Sequence, residues 1–169
     1  MKTLATIFAV GLTLVALTAF SADESFYKKF AQAGMAEVMA GQAAATKATS
    51  DDVRDFAMMM VKDHGAANDK LAKLAISKGI RLPATAGETH LAALKAMQAK
   101  DGARFDQAYV AEQVKGHEEA VQLLKSEIAS GEDPDAIELA QELLPTVEAH
   151  LQEINRLAGK GNAAGGMPR

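Results

Sequence analysis

From about Asp23 to about Ala158 apolar residues recur at alternating steps of three and four, in segments dominated by alanine, leucine, methionine, lysine and glutamate. That spacing paints one stripe along an α-helix, and no run of alternating β-branched residues supports a strand. Such a chain can bury its apolar stripes only helix against helix. The pattern therefore predicts an all-α fold.

Punctuation along the chain divides it into four long helices. The first is expected from about Asp23 to Ala48, and the second begins at "TSDDV", where Ser50 or Asp51 caps and the acidic pair suits the positive helix end. It stops at "SKGIRLP", with Gly79 as C-cap and Pro83 as block. The third runs from about Ala103 to Ser130, and the fourth starts at "GEDPD" with Asp133 as cap and Pro134 as first helical residue. Residues 159–169, "GKGNAAGGMPR", read as a disordered tail. Between the second and third helices lies a long connection carrying its own short helix, "GETHLAALKAMQ". Such a link can run the length of a bundle and start the third helix beside the start of the second. The expected architecture is a ferritin-like four-helix bundle with a long central connection.

The opening "MKTLATIFAVGLTLVALTAFSADES" has one lysine, an apolar run from Leu4 to Phe20, and small residues at Ala19, Ser21 and Ala22. It reads as a signal peptide over residues 1–22, too short for a membrane span, so the protein is expected to be exported, to the periplasm or to attachment at the outer membrane. The remaining 23–158 bundle is one domain, large enough to bury a core without cross-links. Cysteine is absent, which excludes disulfides, a lipoprotein anchor and thiolate metal ligands. Removing Lys2 makes the formal charge of −4 one unit more negative, and no basic cluster points to nucleic acid or anionic lipid.

Each helix places one coordinating residue on its stripe. The first gives Phe26, Phe30, Ala33, Glu37, Ala40 and Ala44; the second gives Val53, Ala57, Met60, His64, Ala67, Leu71 and Leu74. The third is more polar, with Asp106, Val110, Gln113, His117, Ala120, Leu124 and Ile128 in line and Phe105 and Tyr109 beside it. The fourth gives Ala136, Ala140, Leu143, Val147, His150, Ile154 and Leu157. Glu37, His64 and His117 fall near their expected helix centres, within roughly 3 Å, and His150 some 6 Å beyond its own at about 1.5 Å per residue. Pro145, just before His150, is expected to kink the fourth helix. Four groups converge on one level of the core.

The segments "GMAEVMAGQAA", "FAMMMVKDHGAANDKL", "GARFDQAYVAEQVKGHEEA" and "LLPTVEAHL", in that order, resemble the exported bacterial family catalogued as domain of unknown function 4142. The resemblance spans about residues 26 to 158 and rests on Glu37, the Asp63–His64 pair, the Phe105–Asp106 and Tyr109 group, His117, Pro145 and His150. It implies a ferritin-like fold and an envelope location, and it implies no activity.

The chemistry follows from the residues. Buried carboxylates and imidazoles cost several kcal/mol unless paired, and one metal ion would satisfy Glu37, His64, His117 and His150 together. Three neutral imidazoles and a carboxylate suit Zn(II), Fe(II), Mn(II) or Cu(II). Asp63 points about 100° away from His64 and is expected to orient a neighbouring ligand or to pair at the surface; Gln113 is the other residue expected just outside the ligands. The alternative is a metal-free polar layer in which the imidazoles bond to Glu37 and Gln113 and fix helix register.

Other chemistries find less support. A di-iron oxidase site needs Glu-x-x-His on two helices, yet Val61, Gly87, Val114 and Val147 stand three residues before the histidines. Met58, Met59 and Met60, with Met35 and Met39, read as gap-fillers rather than a Cu(I) site, and His90 reads as a surface residue. Asp106 and Tyr109 read as structural. No nucleophile elbow or phosphate loop appears, so nucleophilic catalysis finds no support; the balance is against an enzyme, with catalysis at a metal left open. Two functions remain: an envelope protein that sequesters or stores a transition metal, or a metal-free envelope stress or interaction protein. Small residues at Ala33, Gly34, Ala40 and Gly41 permit close helix approach within a monomer or in a homo-oligomer.

Overall fold

A computed structural model describes the backbone of residues 14–165 and the side chains of residues 23–159. Among these it contains five helices and no strand: α1 (Leu14–Lys47), α2 (Asp51–Ser77), α3 (Glu88–Gln98), α4 (Ala103–Ser130) and α5 (Pro134–Gly165). The four long helices and the short helix inside the α2–α4 connection reproduce the expected all-α bundle. Helix α1 starts ahead of the expected Asp23, and α5 continues past Gly159, where the tail was expected. Residues 1–13, most of the expected signal peptide, and 166–169 lie outside the described residues. No described helix is long and apolar enough to cross a membrane.

Local chemistry sets the ends. Helix α2 ends in a Schellman motif: Ile80 N–H donates to the Ala75 carbonyl at 2.9 Å and Gly79 N–H to Ile76 at 3.1 Å, with Gly79 at φ 68°. Asp133 caps α5 by accepting from the Asp135 N–H at 3.1 Å, with Pro134 as first helical residue. The start of α2 departs from expectation. Ser50 sits at the N-cap but its side chain makes no cap bond. Instead Asp106 of α4 accepts from Thr49 N–H (3.0 Å), Thr49 Oγ1 (2.6 Å) and Ser50 N–H (2.9 Å). The turn is pinned from across the bundle, and this bond places the start of α4 beside the start of α2.

Helices α1 and α2 form one antiparallel hairpin and α4 and α5 another, while the α3 segment carries the chain back along the bundle. The α1–α2 approach is close at two glycines. A Cβ on Gly41 would lie 2.9 Å from the Ala57 carbonyl oxygen, and one on Gly34 would collide with Asn68. The small residues at these positions thus serve packing within the chain. Helix α5 keeps its helical assignment through Pro145, and its expected stripe, from Ala136 to Leu157, is buried throughout.

The apolar core has two parts. One gathers Phe26, Tyr27, Phe30, Leu71, Leu124, Leu139 and Leu143; the other gathers Val53, Phe56, Met60, Phe105, Tyr109, Ile154 and Leu157. Along α2 the boundary falls between Met60 and Ala67, and along α5 between Val147 and Ile154. His64 and His150 occupy those gaps. A polar layer divides the core at the level that the helix spacing predicts.

Candidate metal centre

Three helices deliver one imidazole each to this layer. His64 (α2), His117 (α4) and His150 (α5) are 6%, 0% and 4% exposed, and one ligand atom from each lies within 4.8 Å of the others. The ring centroids form a nearly equilateral triangle with sides of 5.3, 5.5 and 5.6 Å. Phe56 closes one side, its ring 6.2 Å from that of His117 and 6.4 Å from that of His150.

Outer partners decide which nitrogens face inward. Nδ1 of His117 lies 2.9 Å from the Gln113 carbonyl one turn earlier, which can only accept, so this nitrogen carries the proton and Nε2 keeps its lone pair. Nε2 of His150 lies 3.2 Å from the Asp63 carboxylate and likewise donates, leaving Nδ1, which is buried without a hydrogen-bond partner. The Nε2 atoms of His64 and His117 are 3.4 Å apart. Two imidazoles on one tetrahedral ion, with bonds of about 2.0–2.1 Å, hold their nitrogens about 3.3–3.4 Å apart. The same separation suits an N–H···N hydrogen bond, but that bond leaves the His150 lone pair unanswered.

Burial holds the imidazoles neutral. It pushes His64 down to about 3, helped by the neighbouring His117 and His150, and pushes His117 down to about 4 against the opposing Gln113 hydrogen bond. His150 is lowered too, again by burial, with Asp63 pulling the other way. Neutral imidazoles with inward lone pairs are the form that binds metal.

Glu37, expected as a fourth group on this level, stands outside the three-histidine cluster. The reason lies in α1, which turns Gly34 and Gly41 toward α2 and leaves Glu37 on the flank that faces α4. Its Oε2 accepts from Gln113 Nε2, and its Oε1 lies over Gly116, 2.5 Å from where a Cβ would stand. Burial raises its carboxyl to about 7 despite the Gln113 bond. Asp63 and Gln113 lie beside the histidines: Asp63 bonds His150, while Gln113 bonds His117 through its backbone and Glu37 through its side chain.

A cleft of about 510 Å³ opens beside the triad, lined by α1, α3 and α4. His64, His117, Glu37 and Gln113 are part of its polar lining, together with Lys29, Thr89 and Lys115, and Phe30, Leu94 and Met97 are among the apolar residues. His90 of α3, read from sequence as a surface residue, is half-buried in the same wall. Nothing in its spacing could reveal this, because α3 is placed by tertiary packing of Leu94 and Met97.

Two solved structures share the fold. A DUF305 fragment from Deinococcus radiodurans matches with TM-score 0.72 at 11% identity, covering 82% of this chain and 95% of that one. CopM in the Cu(II)-bound form matches with TM-score 0.68 at 16% identity, covering 82% and 96%. No curated protein matches the chain. Residues 15–157 match the family described as domain of unknown function (DUF4142), and the chain belongs to that family.

Proposed function

We propose that this is an exported cell-envelope protein that sequesters or stores one transition-metal ion at His64, His117 and His150. The observation that carries the reading is the meeting of three buried imidazoles whose cluster leaves His150 Nδ1 answered by no group of the protein. A carboxylate–histidine pair such as Asp63–His150 is the usual outer support of a metal-bound imidazole, fixing its tautomer and raising its basicity. Three neutral imidazoles favour Cu(II) or Zn(II) over Mn(II) or Fe(II). The Cu(II)-bound state of the structurally similar CopM makes copper the first ion to try. Export is supported by the apolar, small-residue-terminated opening of the sequence.

A second reading, a structural polar layer without metal, is favoured by the His64–His117 separation, which also fits a hydrogen bond. Elemental mass spectrometry separates the two. Protein exported to the periplasm and purified without chelator or His tag should carry close to one equivalent of a single transition metal, absent from the His64→Ala/His117→Ala variant. Metal-free protein that resists added Zn, Fe, Mn and Cu would leave the structural layer as the answer.

A further inference from the structure

Three histidine nitrogens would leave a tetrahedral ion one further position. The Phe56 ring, packed against His117 and His150, offers no donor or acceptor suited to a ligand. The cleft borders the triad at His64 and His117. His64 and His117 are part of its wall, and His150 is not. On the same wall Glu37 is held back from the triad by Gln113. Gln113 is 2% exposed, donates through Nε2 to Glu37, and keeps a buried Oε1 that accepts from nothing. Beside the triad the cleft lining thus offers the Glu37 carboxylate as an acceptor, with Lys29, Thr89, His90 and Lys115 elsewhere in the lining.

We propose that the fourth coordination position opens into this cleft and holds an exchangeable small ligand, water at rest and small anions in competition, with Glu37 as the acceptor that orients the water. The proposal rests on the three-histidine metal reading. A metal-bound water would have two acidic protons to donate, and the Glu37 carboxylate in the cleft lining is an acceptor for one of them. Glu37 is then a positioning residue outside the coordination shell, which explains why its side chain stops short of the triad. The cleft volume of about 510 Å³ admits small ligands without rearrangement of the bundle. The site is one through which metal or ligands exchange, in contrast to a closed four-ligand cage.

The test uses full-length mature protein loaded with one equivalent of Cu(II) and titrated with azide, followed by the azide-to-copper charge-transfer absorption and by EPR, with copper content checked after gel filtration. The proposal expects a saturable new band with copper retained. Glu37→Gln should bind azide several-fold more tightly, because the carboxylate repels an incoming anion, and should change the affinity for neutral imidazole far less. Spectra that respond to neither azide nor imidazole, in wild type and in Glu37→Gln, would overturn it, and so would equal azide affinity in the two proteins. Protein that takes up no copper or zinc at all would instead overturn the metal reading on which the proposal rests.

Discussion

Asp106 and His117 lie on the same buried face of α4, three turns apart, and look alike in the sequence: each is a polar residue interrupting an apolar stripe. Their surroundings are opposite. Asp106 accepts two backbone N–H groups and a hydroxyl from the Thr49–Ser50 turn. Its charge is answered, and it fastens α4 to the α1–α2 turn. His117 has one nitrogen answered by Gln113 and the other turned toward two more imidazoles, whose group ends in an unanswered lone pair on His150. A buried polar residue is structural when the protein completes its hydrogen bonds, and it points to a ligand when the protein completes all but one side of a cluster.

Substitutions can break each half of this contrast separately. The largest effect should come from Asp106→Ala, which strands Thr49 and Ser50 donors at the α2 start. Thr49 is exposed and Ser50 half-buried, so water answers part of what is lost, and a loss of about 2–3 kcal/mol is expected in denaturant unfolding, with metal stoichiometry unchanged. A His64→Leu/His117→Leu variant should do the reverse. Metal-free, it should unfold within about 1 kcal/mol of wild type, because both partners of a buried polar pair are replaced by apolar groups of similar size. It should also lose the metal-dependent gain, which for wild type is about 2.7 kcal/mol at free metal 100 times the dissociation constant. A wild-type melting temperature indifferent to metal and to EDTA would end the comparison.

Smaller changes sharpen it. Asp63→Asn keeps the shape but weakens the support of His150, and metal affinity should fall about 10–100-fold in a competition titration while folding stability stays close to wild type. The smallest effect concerns the far end of the bundle. Burial first, then the charges of Asp23 and Asp133, raise the Glu127 carboxyl from 4.5 to about 7. The folded state thus holds this proton more tightly than the unfolded chain, so ionisation destabilises: the penalty is absent below about pH 4.5 and complete above about pH 7. Glu127→Gln should raise the unfolding free energy at pH 8 more than at pH 5, by about 1 kcal/mol or less after solvent screening. A gain that is the same at both pH values would contradict the assignment.

Much of this was legible in the sequence, and the parts that were not share a cause. The α5 stripe emerged residue for residue, because a helix with one neighbour-facing side obeys the three–four step closely. The common level of His64 and His117 followed from position within each helix, which is insensitive to direction; His150 was expected roughly 6 Å past its helix centre, and the continuation of α5 to Gly165 moves that centre to it. Glu37 was on the same arithmetic line, yet the rotation of α1 is set by where its glycines let α2 approach, and that moved Glu37 to the cleft. Ser50 is the N-cap of α2 as the sequence allowed, but the bonds at that turn come from Asp106, which is distant in sequence and brought there only by tertiary packing. His90 and the cleft depend on how α3 docks, which no local pattern encodes.

The central claim is that the three histidines form a single ligand set. Protein loaded with one equivalent of Cu(II) and examined by pulsed EPR would count the imidazole nitrogens coupled to the metal. The account predicts three, falling to two in His150→Ala. One coupled imidazole, or a count unchanged by His150→Ala, would place the copper elsewhere and contradict the account.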